Sequence, residues 1–256
     1  MVHGMIFCAG LGTRLKPLTD TMPKALVPLA GKPLLQWQVE KLRDAGITDI
    51  IVNVHHFPDQ IIDTIRRNNG WGCNIMISDE RDCLLDTGGG LKKIKNEKLK
   101  IKNEPVLACN VDILSNIDIR ALMAYWDSLN TPNTPNTPKG LLVVSERTTQ
   151  RYLCFDKEDR LCGWTNIKTG EVRPSSLHHS IIPSLRKLAF SGMQILGPEV
   201  LACLGHMEEE KFSLIDFYLK IMEDVQLKAF VPTDYRMMDV GKIDQIEEAE
   251  RFAESL

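Results

Sequence analysis

The sequence predicts an α/β fold: one domain over residues 1–256 in which a single mixed sheet carries helices on its faces. Two observations predict it. The first half alternates short apolar runs with segments of helical period, the pattern of strands joined by crossover helices. The second half turns to strand-like runs separated by turn residues, which extend the same sheet and make it mixed. A length of 256 residues, 43% hydrophobic and 25% charged, is ample for a buried core.

Each element has a local reason. Residues 5–9 form a short apolar run ending at Gly10, as a buried parallel strand feeding a loop would. Residues 34–45 space Leu34, Leu35, Val39, Leu42 and Ala45 on one helical face, with Gly46 as the stop. Residues 49–54 are the next strand, followed by a helix around Ile61, Ile62 and Ile65 that ends near Asn68-Asn69-Gly70. Residues 73–77 and 105–110 are the third and fourth strands, and 117–129 another helix. The three prolines at 132, 135 and 138 can neither continue a helix nor join a central strand, so 130–138 is a surface loop. Beyond it come strands at 140–145, 152–155 and 161–165, the last two joined by a turn at 156–160. Strands at 188–195 and 225–231, a helix at 214–222 and a closing helix at 243–252 complete the chain.

Composition narrows the function. A formal charge of −3 shows no global basic bias, which argues against nucleic acid as the main partner. Any phosphate chemistry must come from local charge. No apolar run approaches the roughly 20 residues of a membrane-spanning helix, so no membrane is expected as a partner. The start, Met1-Val2-His3-Gly4-Met5-Ile6, enters a strand with no basic flank or signal-type cleavage site. The seven cysteines (Cys8, Cys73, Cys83, Cys109, Cys154, Cys162, Cys203) form no CxxC pair and suit reduced thiols. A cytoplasmic protein is expected.

The chemical signal lies in Ala9-Gly10-Leu11-Gly12-Thr13-Arg14-Leu15-Lys16-Pro17-Leu18, with Pro23-Lys24 just beyond. A strand ending in a glycine-rich loop lets backbone N–H groups approach phosphate oxygens with no Cβ in the way. Arg14 then supplies a planar fork and Lys24 a point charge where a triphosphate would lie. A dinucleotide fingerprint would need a third glycine where Leu15 stands, and an acidic residue near Asn53-Val54-His55. A Walker loop is absent too. Asp112 closely follows an apolar strand, where open α/β sheets place ligands, and Asp239 precedes the last helix. Mg²⁺ is commonly held by one or two carboxylates plus phosphates and water. The alternative for either aspartate is a helix cap. The pairs His55-His56 and His178-His179 are sequence neighbours that would point to opposite faces of a strand, which makes no chelate. Trp164 beside Asn166 fits a sugar pocket or simple core packing, and Glu208-Glu209-Glu210-Lys211 a solvated stretch.

Gly10-Leu11-Gly12-Thr13-Arg14-Leu15, followed by Pro23-Lys24-Ala25-Leu26-Val27-Pro28-Leu29-Ala30-Gly31-Lys32-Pro33, resembles the signature of the sugar nucleotidyltransferase (NDP-sugar pyrophosphorylase) family. The resemblance implies a three-layer α/β/α, Rossmann-like mixed sheet of the nucleotide-diphospho-sugar transferase type. Residues 1–129 would be the nucleotide-binding half and 139–256 the sugar-binding half. Leu85-Asp86-Thr87-Gly88-Gly89-Gly90, Phe190-Ser191-Gly192-Met193 and Met238-Asp239-Val240-Gly241 are most similar to the compact N-acetylmuramate-1-phosphate uridylyltransferases. The implied substrates are a nucleoside triphosphate, UTP favoured, and a sugar 1-phosphate of the N-acetylmuramate type. Mannose-1-phosphate guanylyltransferase, phosphocholine cytidylyltransferase and a silent nucleotide-sugar-binding regulatory subunit are the alternatives.

The implied residues follow the motifs. Arg14, Lys24 and Asp112 are expected to be catalytic, and Ala9, Gly10, Gly12, Thr13, Arg14, Lys24, Thr87 and Gly88 to bind nucleotide. Asn166, Ser191 and Gly192 are expected at the sugar, and Asp112 and Asp239 at Mg²⁺. Asn110-Val111-Asp112 departs from the family's N-G-D, and no Glu-Lys-Pro segment supplies the lysine that anchors the acceptor phosphate in glucose-1-phosphate relatives.

Overall fold

A computed structural model describes residues 2–96, 103–130, 137–177 and 182–256. The first half runs β1 (His3–Phe7), the small hairpin β2 (Pro28–Leu29) and β3 (Lys32–Pro33), α1 (Leu34–Asp44), β4 (Asp49–Val54) and α2 (Pro58–Arg67). It continues with β5 (Asn74–Asp79), α3 (Asp86–Asn96), β6 (Val106–Asn110), β7 (Ile113–Ser115) and α4 (Ile119–Leu129). The second half runs β8 (Gly140–Ser145), β9 (Arg151–Phe155), β10 (Leu161–Asn166), β11 (Glu171–Arg173), β12 (Arg186–Leu196) and α5 (Pro198–Cys203). It closes with α6 (Leu214–Ile221), β13 (Leu227–Phe230), β14 (Met237–Asp239) and α7 (Ile246–Glu254).

Alternation of side chains along the strands explains the layers. Met5 and Phe7 point to one face of β1 and Ile6 to the other, and all three are buried. On the Ile6 face pack Leu35, Val39 and Leu42 of α1, Ile61 of α2, Leu122 of α4 and Ala249 of α7. On the Met5 face pack Leu91 of α3, Val200 of α5, and Phe217 and Tyr218 of α6. Helices therefore cover both faces of the sheet, the predicted three-layer arrangement.

The main sheet has the order β11-β10-β9-β12-β6-β1-β4-β5, with β8 beside β12 and β13 beside β8. Strands β6, β1, β4 and β5 are parallel. β12 runs antiparallel to β6, β8 and β9 and so makes the sheet mixed. It is the junction of the two halves. Its later residues pair with β6 through Met193–Leu196, and its first residues pair with β9 through Arg186–Leu188. The register with β8 breaks between Phe190 and Gln194, next to the C-terminal end of β6.

Two features lie outside the elements expected from the sequence. The Thr-Gly-Gly-Gly segment opens a helix, α3, although glycine disfavours helix interiors. A Cβ on Gly88 would lie 2.4 Å from the Phe212 ring, on Gly89 2.1 Å from Glu210 O, and on Gly90 2.8 Å from Glu80 Oε1. Close packing on three sides selects glycine here, and tertiary contact overrides propensity. Lys92 of α3 adds bonds to Met207 O at 2.9 Å and Glu210 Oε1 at 2.6 Å. The second feature is a separate two-stranded ribbon, in which β7 pairs antiparallel with β14.

None of the seven cysteines is in a disulfide. No helix among the described residues is long and apolar enough to cross a membrane. Residues 131–136 of the proline loop, and the pair His178-His179, lie outside the described residues.

Candidate functional site

The glycine loop leaves β1 under tight control. Cys8 N donates to Asn53 Oδ1 at 2.7 Å, tying the strand end to its neighbour β4. Gly12 has φ 65°, and a Cβ there would lie 2.8 Å from Thr19 Cγ2 and 3.0 Å from Lys24 Cβ. Its carbonyl accepts from Thr19 Oγ1 at 2.9 Å and from Leu15 N at 2.8 Å. Only glycine meets both demands. Gly10, Thr13 and Arg14 are left facing solvent while Leu15 anchors the far side in the core.

A cleft of about 250 Å³ opens above this loop, at the C-terminal ends of β1 and β6. It gathers Gly10, Gly12, Thr13, Arg14, Lys24, Thr87 and Asp112 from the predicted residues and adds Cys8, Asn110 and Gly241. Val111 borders the cleft but is 4% exposed and packs in the apolar layer, so the valine in place of glycine is absorbed by the core. Ala9, Gly88, Asn166, Ser191, Gly192 and Asp239 are not in its lining. A wider groove of about 960 Å³ lies near the start of β8 and the β9–β10 turn, away from every predicted residue. Charges on its walls already pair with one another, Lys139 with Glu199 at 2.9 Å and Arg160 with Asp156 at 2.7 Å.

The ribbon brings the backbones at the two predicted aspartates together. Asp239 stands opposite Ile113, and Val240 N donates to Asp112 O at 2.8 Å. Neither aspartate caps a helix: Asp112 sits in the turn between β6 and β7, and Asp239 ends β14. Each faces one cation of the loop. Lys24 Nζ donates to Asp112 Oδ2, and Arg14 Nη2 lies 3.7 Å from Asp239 Oδ2. Gly241 backs the second pair so closely that a Cβ there would be 2.7 Å from Asp239 Oδ1 and 2.8 Å from Arg14 Nη2. The Lys24 pair is largely buried and the Arg14 pair about half exposed, so water screens the second much more. Carboxylate oxygens are the donor type that Mg²⁺ takes, beside phosphates and water; Asp112 lines the cleft and Asp239 stands just outside its lining. No group of three or more His, Cys, Asp or Glu that could hold a metal occurs among the described residues.

Thr87 and Gly88 occupy the first turn of α3 with their amides already engaged. Thr87 N donates to Asp86 Oδ1 at 2.6 Å, and Gly88 N and Gly89 N both donate to Phe212 O, at 2.9 and 3.2 Å. Thr87 Oγ1 accepts from Leu214 N at 3.0 Å, which fastens α3 to α6. A neighbouring network escaped sequence reasoning. Asn53 Nδ2 donates to Glu80 Oε1 at 2.8 Å, and Glu80 Oε2 accepts from Leu85 N at 3.3 Å. Glu80 is 2% exposed, and burial pushes its carboxyl up from the ordinary range. Through Asn53 it connects the glycine loop to the start of α3. The only sequence signal was an acidic residue at the end of an apolar strand.

The sugar-side residues stand on β10 and β12. Asn166 is buried, and its Oδ1 accepts from Lys168 N at 3.0 Å. Ser191 is buried, and a Cβ on Gly192 would lie 3.0 Å from Asn110 Nδ2, so Gly192 backs the cleft wall. Trp164 is buried with the Arg173 guanidinium 4.4 Å from its ring centre, a cation–π contact that Asp216 steadies at 2.5 Å. His55 and His56 reach different carbonyls, those of Glu80 and Thr19, and form no chelate.

The nucleotidyl transferase family profile matches residues 3–137. The chain belongs to the nucleotidyl transferase family. Within the family it is similar to the N-acetylmuramate α-1-phosphate uridylyltransferase of Neisseria meningitidis serogroup B, at 38% identity over 128 residues, 50% of this chain and 54% of the relative. The enzyme of the same name from Caulobacter vibrioides is 39% identical over 129 residues, 48% of this chain and 52% of the relative. Mannose-1-phosphate guanyltransferase 2 of Candida glabrata is 36% identical over 128 residues, 50% of this chain and 35% of the relative. The chain spans about half the length of the first two relatives. A putative glucose-1-phosphate thymidylyltransferase from Bacillus anthracis superposes with TM-score 0.81 at 14% identity, covering 100% of this chain and 96% of that one. HddC from Yersinia pseudotuberculosis, complexed with GMP-PN, gives 0.73 at 23%, covering 99% and 100%. At these identities the structures show that the nucleotidyl transferase fold is shared.

Proposed function

We propose that this chain joins a nucleoside triphosphate, UTP favoured, to a sugar 1-phosphate of the N-acetylmuramate type, yielding a nucleotide sugar and pyrophosphate. The observation that carries this reading is that Arg14, Lys24 and Asp112 line one glycine-rich cleft, with Asp239 just outside its lining and 3.7 Å from Arg14. An oxygen of the sugar phosphate would form a bond to the α-phosphorus, and the bond from that phosphorus to the β-phosphate bridging oxygen would break. The electron pair leaves with pyrophosphate. A sugar phosphate is already anionic at neutral pH, so neither a general base nor a covalent intermediate is needed. Catalysis then consists of positioning and charge neutralisation.

The residues divide this work. Backbone N–H groups from Gly10 to Thr13 would receive phosphate oxygens. Mg²⁺ held by Asp112 and Asp239 would supply charge neutralisation at the phosphates. Lys24 and Arg14 now neutralise those same carboxylates. On loading, both cations are free to turn to phosphate oxygens, where charge grows on the leaving group. The half formed by residues 139–256 is assigned to the sugar, since β12 and its turn at Gly192 back the cleft beside Asn110.

The guanylyltransferase reading has the yeast relative at 36% identity in its favour. A silent regulatory subunit would be expected to have lost a loop cation or a carboxylate, and all four are present. The test is pyrophosphate release with four nucleoside triphosphates against N-acetylmuramate 1-phosphate, mannose 1-phosphate and phosphocholine. Release only with UTP and the muramate ester is expected. Ligand-induced thermal shifts without turnover by any pair would instead favour the silent subunit.

A further inference from the structure

The ribbon that carries Asp112 and Asp239 has one edge paired and one edge bare. Along it, Asp112 O accepts from Val240 N at 2.8 Å and Asn116 N donates to Arg236 O at 3.1 Å, so even-numbered residues turn their polar groups toward β14. Strand alternation sends the carbonyls of Ile113 and Ser115 the other way. β7 pairs with β14 alone, so no strand meets them. Buried carbonyls without donors are costly.

Helix α1 supplies the donors. Gln38 Nε2 donates to Ile113 O at 2.7 Å, and Lys41 Nζ donates to Ser115 O and, at 2.8 Å, to Ser115 Oγ. Gln38 and Lys41 are three residues apart and so share a helical face. Gln38 is 2% exposed and Ser115 4%. An amide and an amine on the inward side of a helix that otherwise buries Leu34, Leu35, Val39 and Leu42 have no packing reason to be there. A three-residue strand has little rigidity of its own, and these two side chains stand where a further strand would.

We propose that Gln38 and Lys41 are positioning residues for the divalent-ion site. They fix β7 from behind, and with it the separation of Asp112 and Asp239, while touching neither ion nor substrate. The inference deepens the proposed metal-dependent transfer and rests on it.

The test titrates the full chain with Mn²⁺ in the presence of UTP, reading bound ion by electron paramagnetic resonance, beside the Mg²⁺ half-saturation of pyrophosphate release. Gln38→Leu and Lys41→Met are each expected to weaken Mn²⁺ by about 10–100-fold, with kcat at saturating metal falling far less. Lys41→Gln, which keeps a donor toward Ser115, recovers part of the loss. Gln36→Ala, on the same helix but bonded to Glu40, leaves Mn²⁺ affinity unchanged. Wild-type Mn²⁺ affinity in both Gln38→Leu and Lys41→Met overturns the inference while leaving the transferase reading intact. Should Lys41→Met fail to fold, Gln38→Leu alone decides by the same criterion. If Asp112→Asn binds Mn²⁺ as the wild type does, the metal assignment itself fails and this proposal falls with it.

Discussion

Lys24 meets Asp112 in a largely buried pair beside the glycine loop. Removing a charge that acts only as the leaving group develops should lower kcat more than it raises KM. Lys24→Gln is expected to cost about 10²–10³-fold in kcat, read by initial rates of pyrophosphate release, with a larger change in KM than in kcat as the contrary result. Glu80 gives a different prediction, about folding. Its folded pKa is raised, so the native state holds the proton more tightly than the unfolded chain does. The stability this lends is present below about pH 4.5 and lost as pH rises through the higher folded value. Subtracting urea-unfolding free energies of Glu80→Gln from those of the wild type, between pH 4 and 7, isolates that decline; a flat difference would contradict it. At this scale Arg14 and Lys24 stood out in the sequence as cations beside a glycine-rich loop, whereas Asp112 and Asp239, far from that loop in sequence, stood out through the family resemblance. Asn53 and Glu80 did not, since a buried polar pair depends on strands 27 residues apart in sequence meeting. Nor did sequence show that the Gly88 amide is spent on Phe212.

Elements with strong period were readable to the residue. β4 and β8 occupy the expected 49–54 and 140–145. α3 was not, because three glycines resemble a loop until Phe212, Glu210 and Glu80 are seen against them. Gly89→Ala should therefore destabilise by about 1–3 kcal/mol through overpacking. Gly10→Ala, whose added Cβ meets nothing within 4 Å, should change stability by under about 0.5 kcal/mol. Chemical denaturation of both variants checks the contrast, and equal midpoints would remove the packing explanation of the glycine triplet. The β7–β14 ribbon was equally hidden, since three-residue strands carry no periodicity. Sequence placed Asp239 between a strand-like segment and the last helix, and only the pairing with β7 brings it beside Asp112.

Across the whole molecule, the parallel strands β6, β1, β4 and β5 end together at the glycine loop, and β12 joins the second half to them at its irregular turn. The mixed sheet was readable from the change of pattern between the two halves. The place where β12 changes partners was not, because it depends on a local register break. What unites the fold with the proposed chemistry is the pair Asp112 and Asp239, proposed to share one ion and each facing a cation of the loop. A double-substitution cycle on Mg²⁺-dependent pyrophosphate release addresses it most directly. Asp112→Asn and Asp239→Asn should each lower the rate by about 10²–10³-fold, and the double variant should be scarcely worse than either, as for groups sharing one ion. Strictly multiplicative losses, or a near wild-type rate in either single variant, would contradict a shared site.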